Sequence, residues 1–353
     1  MTRLFEEACS SIAPLDRPAA TATLQLMDRL TKPPGSLGRL EALAVHLAAI
    51  SGESPPPVPE PAVVAVFAGD HGVLAEDVTP WPPEVTGQMV VNFLAGGAAI
   101  NVFSRHAGAE VVVVDVGVAS ELTPAPGLVD SKIRPGTGNL ATEPAMSRAE
   151  ALAALDAGVS VANRLIEEGV RCLITGDMGI GNTTPSAALI AGLTGRPVTE
   201  VTGRGTGIDD EHWARKVSAI TRGLARTADP SDPLELLASV GGLEIAALAG
   251  FAVAGAARRV PVVIDGVIAL AGCLVAYSLA PGCRDYLIAG HRSTEPGATA
   301  ALEHLGLDPL IDLGLRLGEG TGACLALSLV QASAKMAREM ATFDSAGVTD
   351  KSS

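Results

Sequence analysis

The 353-residue sequence predicts an α/β protein, a parallel sheet with helices on both faces. Beyond residue 61, short Val/Ile-rich runs alternate with longer Ala/Leu-rich stretches that leave room for crossover helices. Hydrophobic residues make up 48% of the chain but aromatic ones only 3%, so aliphatic side chains must fill the core. With 39 Gly, 24 Pro and no internal repeat, the composition is that of a globular chain rich in turns.

The elements follow in order. Residues 1–50 read as helical: apolar positions are spaced along 19–30, TKPPGSLGRLE (31–41) breaks the pattern, and Ser36 is placed to cap a helix over 37–50. The Pro-rich SGESPPPVPEP (51–61) marks a boundary. Candidate strands follow at 62–67, 110–114, 171–175, 261–264 and 286–289. They run into AGDHG (68–72), DVG (115–117), GDMGIGNTT (176–184), DGV (265–267) and GHRSTEPG (290–297). Every one of these continuations carries Gly with Asp or His. Packing does not require polar groups there, whereas open α/β sheets bind ligands outside the carboxyl ends of their strands. The site is therefore expected at that edge.

The most apolar stretch, 260–280, is interrupted by Asp265 and Gly266. Its unbroken part is shorter than the roughly 20 residues of a membrane-spanning helix, and it reads as a buried strand, turn and helix. From 298 the pattern gives a helix, a Gly-rich turn GLRLGEGTGA (314–323), a long helix over 324–340 and a polar tail at 342–353 that is expected to fray.

The net charge of −14 excludes the basic footprint that nucleic-acid binding needs. Lysines are scarce: Lys32, Lys132, Lys216, Lys335 and Lys351. Of these, Lys32 and Lys216 lie in or near Gly-rich motifs. The five cysteines are widely spaced and form no CxxC pair, which indicates free thiols in a reducing compartment. MTRLFEEACS lacks the pattern of a secretory signal, so the expectation is a cytoplasmic protein with no membrane partner.

GDMGIGNTTPSAAL (176–189) is the strongest local signal. Gly176, Gly179 and Gly181 allow close backbone approach, and Asn182, Thr183, Thr184 and Pro185 open a helix whose free N–H groups suit phosphate. The alternative is an ordinary strand-to-helix turn with a Thr cap. VTGRGTGIDD (201–210) lacks dinucleotide spacing, and Lys216 just downstream is either a phosphate ligand or a solvated side chain. In GLRLGEGTGA, Glu319 is either a carboxylate presented by a tight turn or a capping residue before Thr321. Asp70, His71, Asp177 and His291 show no metal-ligand spacing such as HExxH, and no GxSxG elbow supports a hydrolase triad.

KPPGSLGRLE (32–41), FAGDHGV (67–73), QMVVNFLAGGAAINV (88–102), GDMGIGNTT (176–184), GTGIDD (205–210), GGLEIAALAG (241–250), DG (265–266), HRSTEPG (291–297) and LRLGEGTGA (315–323) occur in this order along nearly the whole chain. The ordered set resembles the nicotinate-nucleotide:5,6-dimethylbenzimidazole phosphoribosyltransferase family. The resemblance implies a Rossmann-like sheet with a small helical domain built from both chain ends: 1–58 and 301–353 around a large α/β domain at 59–300. It also implies a homodimer in which one subunit helps to cover the other's site.

By the same resemblance Glu319 is the catalytic base. Trp81, Gln88, Met89 and Leu317 line the base pocket, while Gly179, Ile180, Gly181, Asn182, Thr183, Thr184, Lys216 and Ser293 hold the nucleotide. Asp177 is placed with this nucleotide-binding set and stands where many relatives have glutamate, one methylene longer. The implied reaction moves phosphoribose from nicotinate mononucleotide to dimethylbenzimidazole. It calls for no cofactor and no metal, since diphosphate is not the leaving group. A transferase for another base, a nucleotide sensor and a metal-dependent hydrolase using Asp70, His71 and His291 are the alternatives.

Overall fold

The computed structural model describes residues 4–205 and 207–349. Thr206 of the 201–210 motif, the first three residues and the end of the polar tail (350–353) lie outside the described residues. Six strands form one parallel sheet: β1 (Ala62–Gly69), β2 (Ala109–Gly117), β3 (Leu128–Asp130), β4 (Cys172–Met178), β5 (Val262–Ile264) and β6 (Leu287–Ala289). Their order is β3-β2-β1-β4-β5-β6. The chain reverses direction across the sheet between β1 and β4, and such a switch point opens a crevice beyond the strand ends.

All five expected strands are present. β3 is additional: it is only three residues long and pairs with β2 alone, too little for an apolar run to reveal.

Both faces are covered. Helices Arg148–Glu167, Thr183–Thr194, Leu243–Ala257 and Val267–Leu279 build the larger core on one face. Residues 260–280 do form a buried strand, turn and helix. The other face carries Glu84–Leu94, Ala99–Ala107 and the long helix Thr321–Glu339 over Val64, Val66, Ile174 and Val263. The stretch Glu84–Ala107 has the length and apolar composition to cross a membrane. It is folded as two helices that break at 95–98 and lie against the sheet.

Both chain ends meet on this second face. Helices Arg17–Arg29 and Arg39–Ser51 pack with Thr321–Glu339 around Met27, Leu30, Ala44 and Ala337. The first helix, Leu4–Ser11, packs instead against Arg148–Glu167 and Leu243–Ala257.

Ser36 does not cap its helix. Arg39–Ser51 begins at Gly38, which offers no side-chain cap, and Glu41 reaches back to the Leu37 N–H at 2.9 Å while pairing with Lys32. Carboxylate and ammonium together stiffen the start that the hydroxyl was expected to hold. All five cysteines are unpaired.

Candidate active site

A cavity of about 320 Å³ opens at the carboxyl ends of β4, β5 and β6, beside the switch point. After β4 the chain turns through Gly179, Ile180 and Gly181 into helix Thr183–Thr194. The turn passes so close to β1 that a Cβ on Gly179 would lie 2.3 Å from the Gly69 carbonyl. The Ile180 N–H donates to the buried Thr86 hydroxyl at 3.1 Å, which ties the turn to helix Glu84–Leu94. Asn182 Nδ2 donates to Asp177 Oδ2 at 3.0 Å.

Lys216 comes to this turn from helix Asp210–Arg226 and is 2% exposed. Its Nζ donates to Thr183 Oγ1 at 2.7 Å and has no carboxylate at ion-pair distance among the described residues. Burial pushes its pKa down to about 8, against the opposing charge of Glu295. An ammonium desolvated in this way, beside the start of a helix, is a ready anion site. Glu295 accepts from the Gly205 N–H at 2.8 Å, and Ser293 Oγ accepts from the Glu295 N–H at 3.3 Å.

The Gly-rich turn supplies the carboxylate. Gly318, Glu319 and Gly320 have φ of +85°, +63° and +93°, three left-handed residues in succession. For Glu319 that conformation costs on the order of 1 kcal/mol, so surrounding contacts must hold it. Thr321 Oγ1 donates to the Gly318 carbonyl at 2.8 Å. Glu319 Oε2 accepts from the Ile100 N–H at 3.1 Å, and Oε1 has no protein partner among the described residues. Glu319 therefore caps helix Ala99–Ala107, from across the fold, and not the helix that begins at Thr321. That helix is capped by Asp265 from the end of β5, which accepts from the Gly320 and Ala323 N–H groups.

Four carboxyl groups, Asp177, Glu244, Asp265 and Glu319, gather here. Burial, then the charge of Asp265, hold Asp177 well above the usual carboxylate range; Asn182 opposes this, and Glu244 and Glu319 add to it. Burial raises Glu319 as well, against the Ile100 N–H and with Asp265. Two histidines compensate. His71 Nε2 lies 2.9 Å from Glu244, and His291 Nε2 lies 3.3 Å from Asp265. Burial disfavours the charge on each ring, but these carboxylates outweigh it and raise both pKa values. Each histidine is paired with a different carboxylate, and no group of three or more His, Cys, Asp or Glu residues is arranged to hold a metal among the described residues.

Nearly all the expected site residues line this one cavity: Trp81, Met89, Asp177, Gly179, Ile180, Gly181, Asn182, Thr183, Thr184, Lys216, Ser293, Leu317 and Glu319. Gln88 does not; it is exposed on helix Glu84–Leu94 while its neighbour Met89 faces in. Val78 and Val85 join Trp81, Met89 and Leu317 as apolar lining. Arg204, Gly205, Glu295 and Arg316 also line the cavity, and Arg316 Nη1 donates to the Gly205 carbonyl at 2.7 Å. The sequence signal for Arg204 and Gly205 was the 201–210 motif, whose glycines fit no dinucleotide pattern but do bring main chain to the cavity. Nothing in the local sequence marks Thr86.

The family described as Phosphoribosyltransferase matches residues 12–348. A nicotinate-nucleotide–dimethylbenzimidazole phosphoribosyltransferase from Salinispora tropica is 54% identical over 99% of this chain and 100% of its own length. One from Chloroflexus aggregans is 54% identical over 99% of both chains. Among solved structures, the enzyme of the same description from Thermus thermophilus superposes with a TM-score of 0.91 at 50% identity, covering 95% of this chain and 100% of that one. With the fold, the cavity and the ordered motifs in agreement over this length, the chain belongs to the nicotinate-nucleotide–dimethylbenzimidazole phosphoribosyltransferase family.

Proposed function

We propose that the cavity binds nicotinate mononucleotide with its phosphate on the 179–184 turn and Lys216, and holds the acceptor base between Trp81, Met89 and Leu317 with its ring N–H toward Glu319. The chain is a phosphoribosyltransferase: it transfers phosphoribose from nicotinate mononucleotide to 5,6-dimethylbenzimidazole, giving α-ribazole 5′-phosphate and nicotinate for the nucleotide loop of cobalamin. The observation that supports this reading of the site most is the pairing, in one cavity, of a buried ammonium with no carboxylate at ion-pair distance and a buried carboxylate with one unpartnered oxygen, among the described residues.

The chemistry needs both. The imine-type nitrogen of the benzimidazole attacks ribose C1′ as the C1′–N bond to nicotinate breaks, and that bond's electrons neutralise the pyridinium nitrogen. No acid is needed for this leaving group. The attacking ring becomes cationic and must lose its N–H proton. Glu319 Oε1 takes it, while Oε2 stays on the Ile100 N–H and fixes the aim of the group. The pyridinium and the oxocarbenium-like C1′ are cationic, so the negative charge of Asp265 and Glu319 also stabilises the transition state.

The active unit is a homodimer in which the helical ends of one subunit cover the cavity of the other. Apolar side chains at the cavity rim and on the adjoining helices support this: Trp81 is 50% exposed, Leu317 59%, Val91 61% and Val102 50%.

Attack from the face opposite nicotinate inverts C1′. The product formed from both substrates is therefore expected to co-elute with α-ribazole 5′-phosphate and to show the α-anomeric proton signal. A β-riboside, or ribose 5-phosphate alone, would contradict the proposal.

A further inference from the structure

Asp265 does not line the cavity, yet it is 1% exposed and makes more directed contacts than any carboxylate that does. Its Oδ2 accepts from the Gly320 N–H at 3.1 Å and its Oδ1 from the Ala323 N–H at 3.0 Å. His291 Nε2 stands 3.3 Å from Oδ1. Its own N–H donates to Thr175 Oγ1 at 3.0 Å, which anchors it to β4. The left-handed turn at Glu319 is also held from within, by the Thr321 hydroxyl on the Gly318 carbonyl, but Asp265 grips the main chain that follows it from another strand. Helix Thr321–Glu339 begins at Gly320, which has no side chain to cap it, so its free N–H groups need an acceptor from elsewhere in the fold.

We propose that Asp265 is the positioning residue of the reaction: by gripping the N–H groups that follow Glu319, it holds the strained turn and aims the Glu319 carboxylate at the acceptor base. Thr175 and His291 hold Asp265 in place, so β4, β5 and β6 jointly set one side chain. The proposal rests on Glu319 being the base. A residue that merely capped the helix would affect stability, whereas a positioning residue acts through Glu319.

A double-mutant cycle separates these roles. Kinetics are measured with nicotinate mononucleotide and dimethylbenzimidazole for wild type, Asp265→Asn, Glu319→Gln and the double variant, with thermal unfolding of each. Asn puts an NH₂ against one of the two N–H groups, so the turn loses an acceptor. A small displacement of a reacting group can cost about 10²-fold. The expected result is a kcat lower by about that factor in Asp265→Asn, with KM for the nucleotide changed little. In the Glu319→Gln background the same substitution should cost almost nothing more.

The pH profile should move as well. The charged and titratable groups that line the cavity with Glu319 are Asp177, Arg204, Lys216, His291, Glu295 and Arg316, and Asp265 acts on it from behind the turn. Removing the negative charge of Asp265 favours ionised Glu319, so the acid limb of kcat/KM shifts to lower pH.

An Asp265→Asn enzyme with wild-type kcat, or one that loses the same factor in both backgrounds, overturns the proposal. If Glu319→Gln itself turns over like wild type, the base reading has failed instead, and the two failures are told apart. Should Asp265→Asn not fold, Thr175→Val takes its place in the cycle. It removes the hydroxyl that holds the Asp265 N–H and the weaker bond to the Val263 carbonyl while leaving the Asp265 carboxylate in place, and a kcat loss that vanishes in the Glu319→Gln background is again the expected outcome.

Discussion

At the scale of single residues, the account rests on two buried charges with unequal surroundings. Glu319→Gln keeps an oxygen for the Ile100 N–H and removes the base. It should lower kcat by roughly 10²- to 10⁴-fold while leaving the melting temperature near that of wild type. The raised pKa of Glu319 sets the acid limb of the rate. The base form is lost as pH falls through that pKa, so activity should decline at a pH above the ordinary glutamate range near about 4.3.

Lys216 behaves in the opposite sense. Its charge is lost as pH rises through about 8, so KM for the nucleotide should climb there. Lys216→Ala should raise that KM roughly 10- to 100-fold, the worth of a charged hydrogen bond, and change kcat less. Burial and the charge of Asp265 hold Asp177 well above the usual carboxylate range, so the uncharged Asp177→Asn should keep more turnover than Asp177→Ala.

Much of this was legible in the sequence because Lys216 and Glu319 stand out against glycine-rich surroundings in a chain with few lysines. Thr86, Asp265 and Glu295 were not legible in their roles. Each acts on a segment distant in sequence, and only the topology makes them neighbours. Gln88, expected beside Met89 in the base pocket, is exposed on the same helix and stands outside the cavity lining that Met89 joins.

At the scale of elements, sequence patterning found the strands because a parallel sheet buried on both faces needs unbroken apolar runs. It missed β3, where three residues carry no pattern, and it misplaced caps. Ser36 was expected to cap and does not, and the caps that matter come from carboxylates on other elements. One packing contact could not be read either. Helices Arg148–Glu167 and Leu243–Ala257 cross where a Cβ on Gly158 would lie 1.9 Å from the Ala247 carbonyl, and one on Gly250 would lie 2.0 Å from the Leu155 carbonyl. Backbones this close tolerate only glycine. Gly158→Ala should therefore destabilise the fold by about 1–3 kcal/mol or more, read as a lower urea midpoint, though it lies in the core away from the cavity.

At the scale of the whole molecule, the sheet order places the site. Reversal between β1 and β4 opens the crevice, β5 and β6 extend it, and the two chain ends close the second face with the helix that follows the Glu319 turn. The acidic composition carries no basic footprint for nucleic acid, and a dimer is expected through resemblance alone, since exposed apolar residues are scattered in sequence. The homodimer proposal predicts a sedimenting mass of twice the 35.7 kDa chain. A monomer with full activity would remove the partner from the site.

The most direct test of the central claim is nicotinate release followed by chromatography, with nicotinate mononucleotide alone and with dimethylbenzimidazole added. The account predicts release only when the base is present, matched mole for mole by the riboside phosphate. Release at the same rate without the base would mark a hydrolase. A protein that binds the nucleotide yet releases nothing with any base would be a sensor and not a transferase.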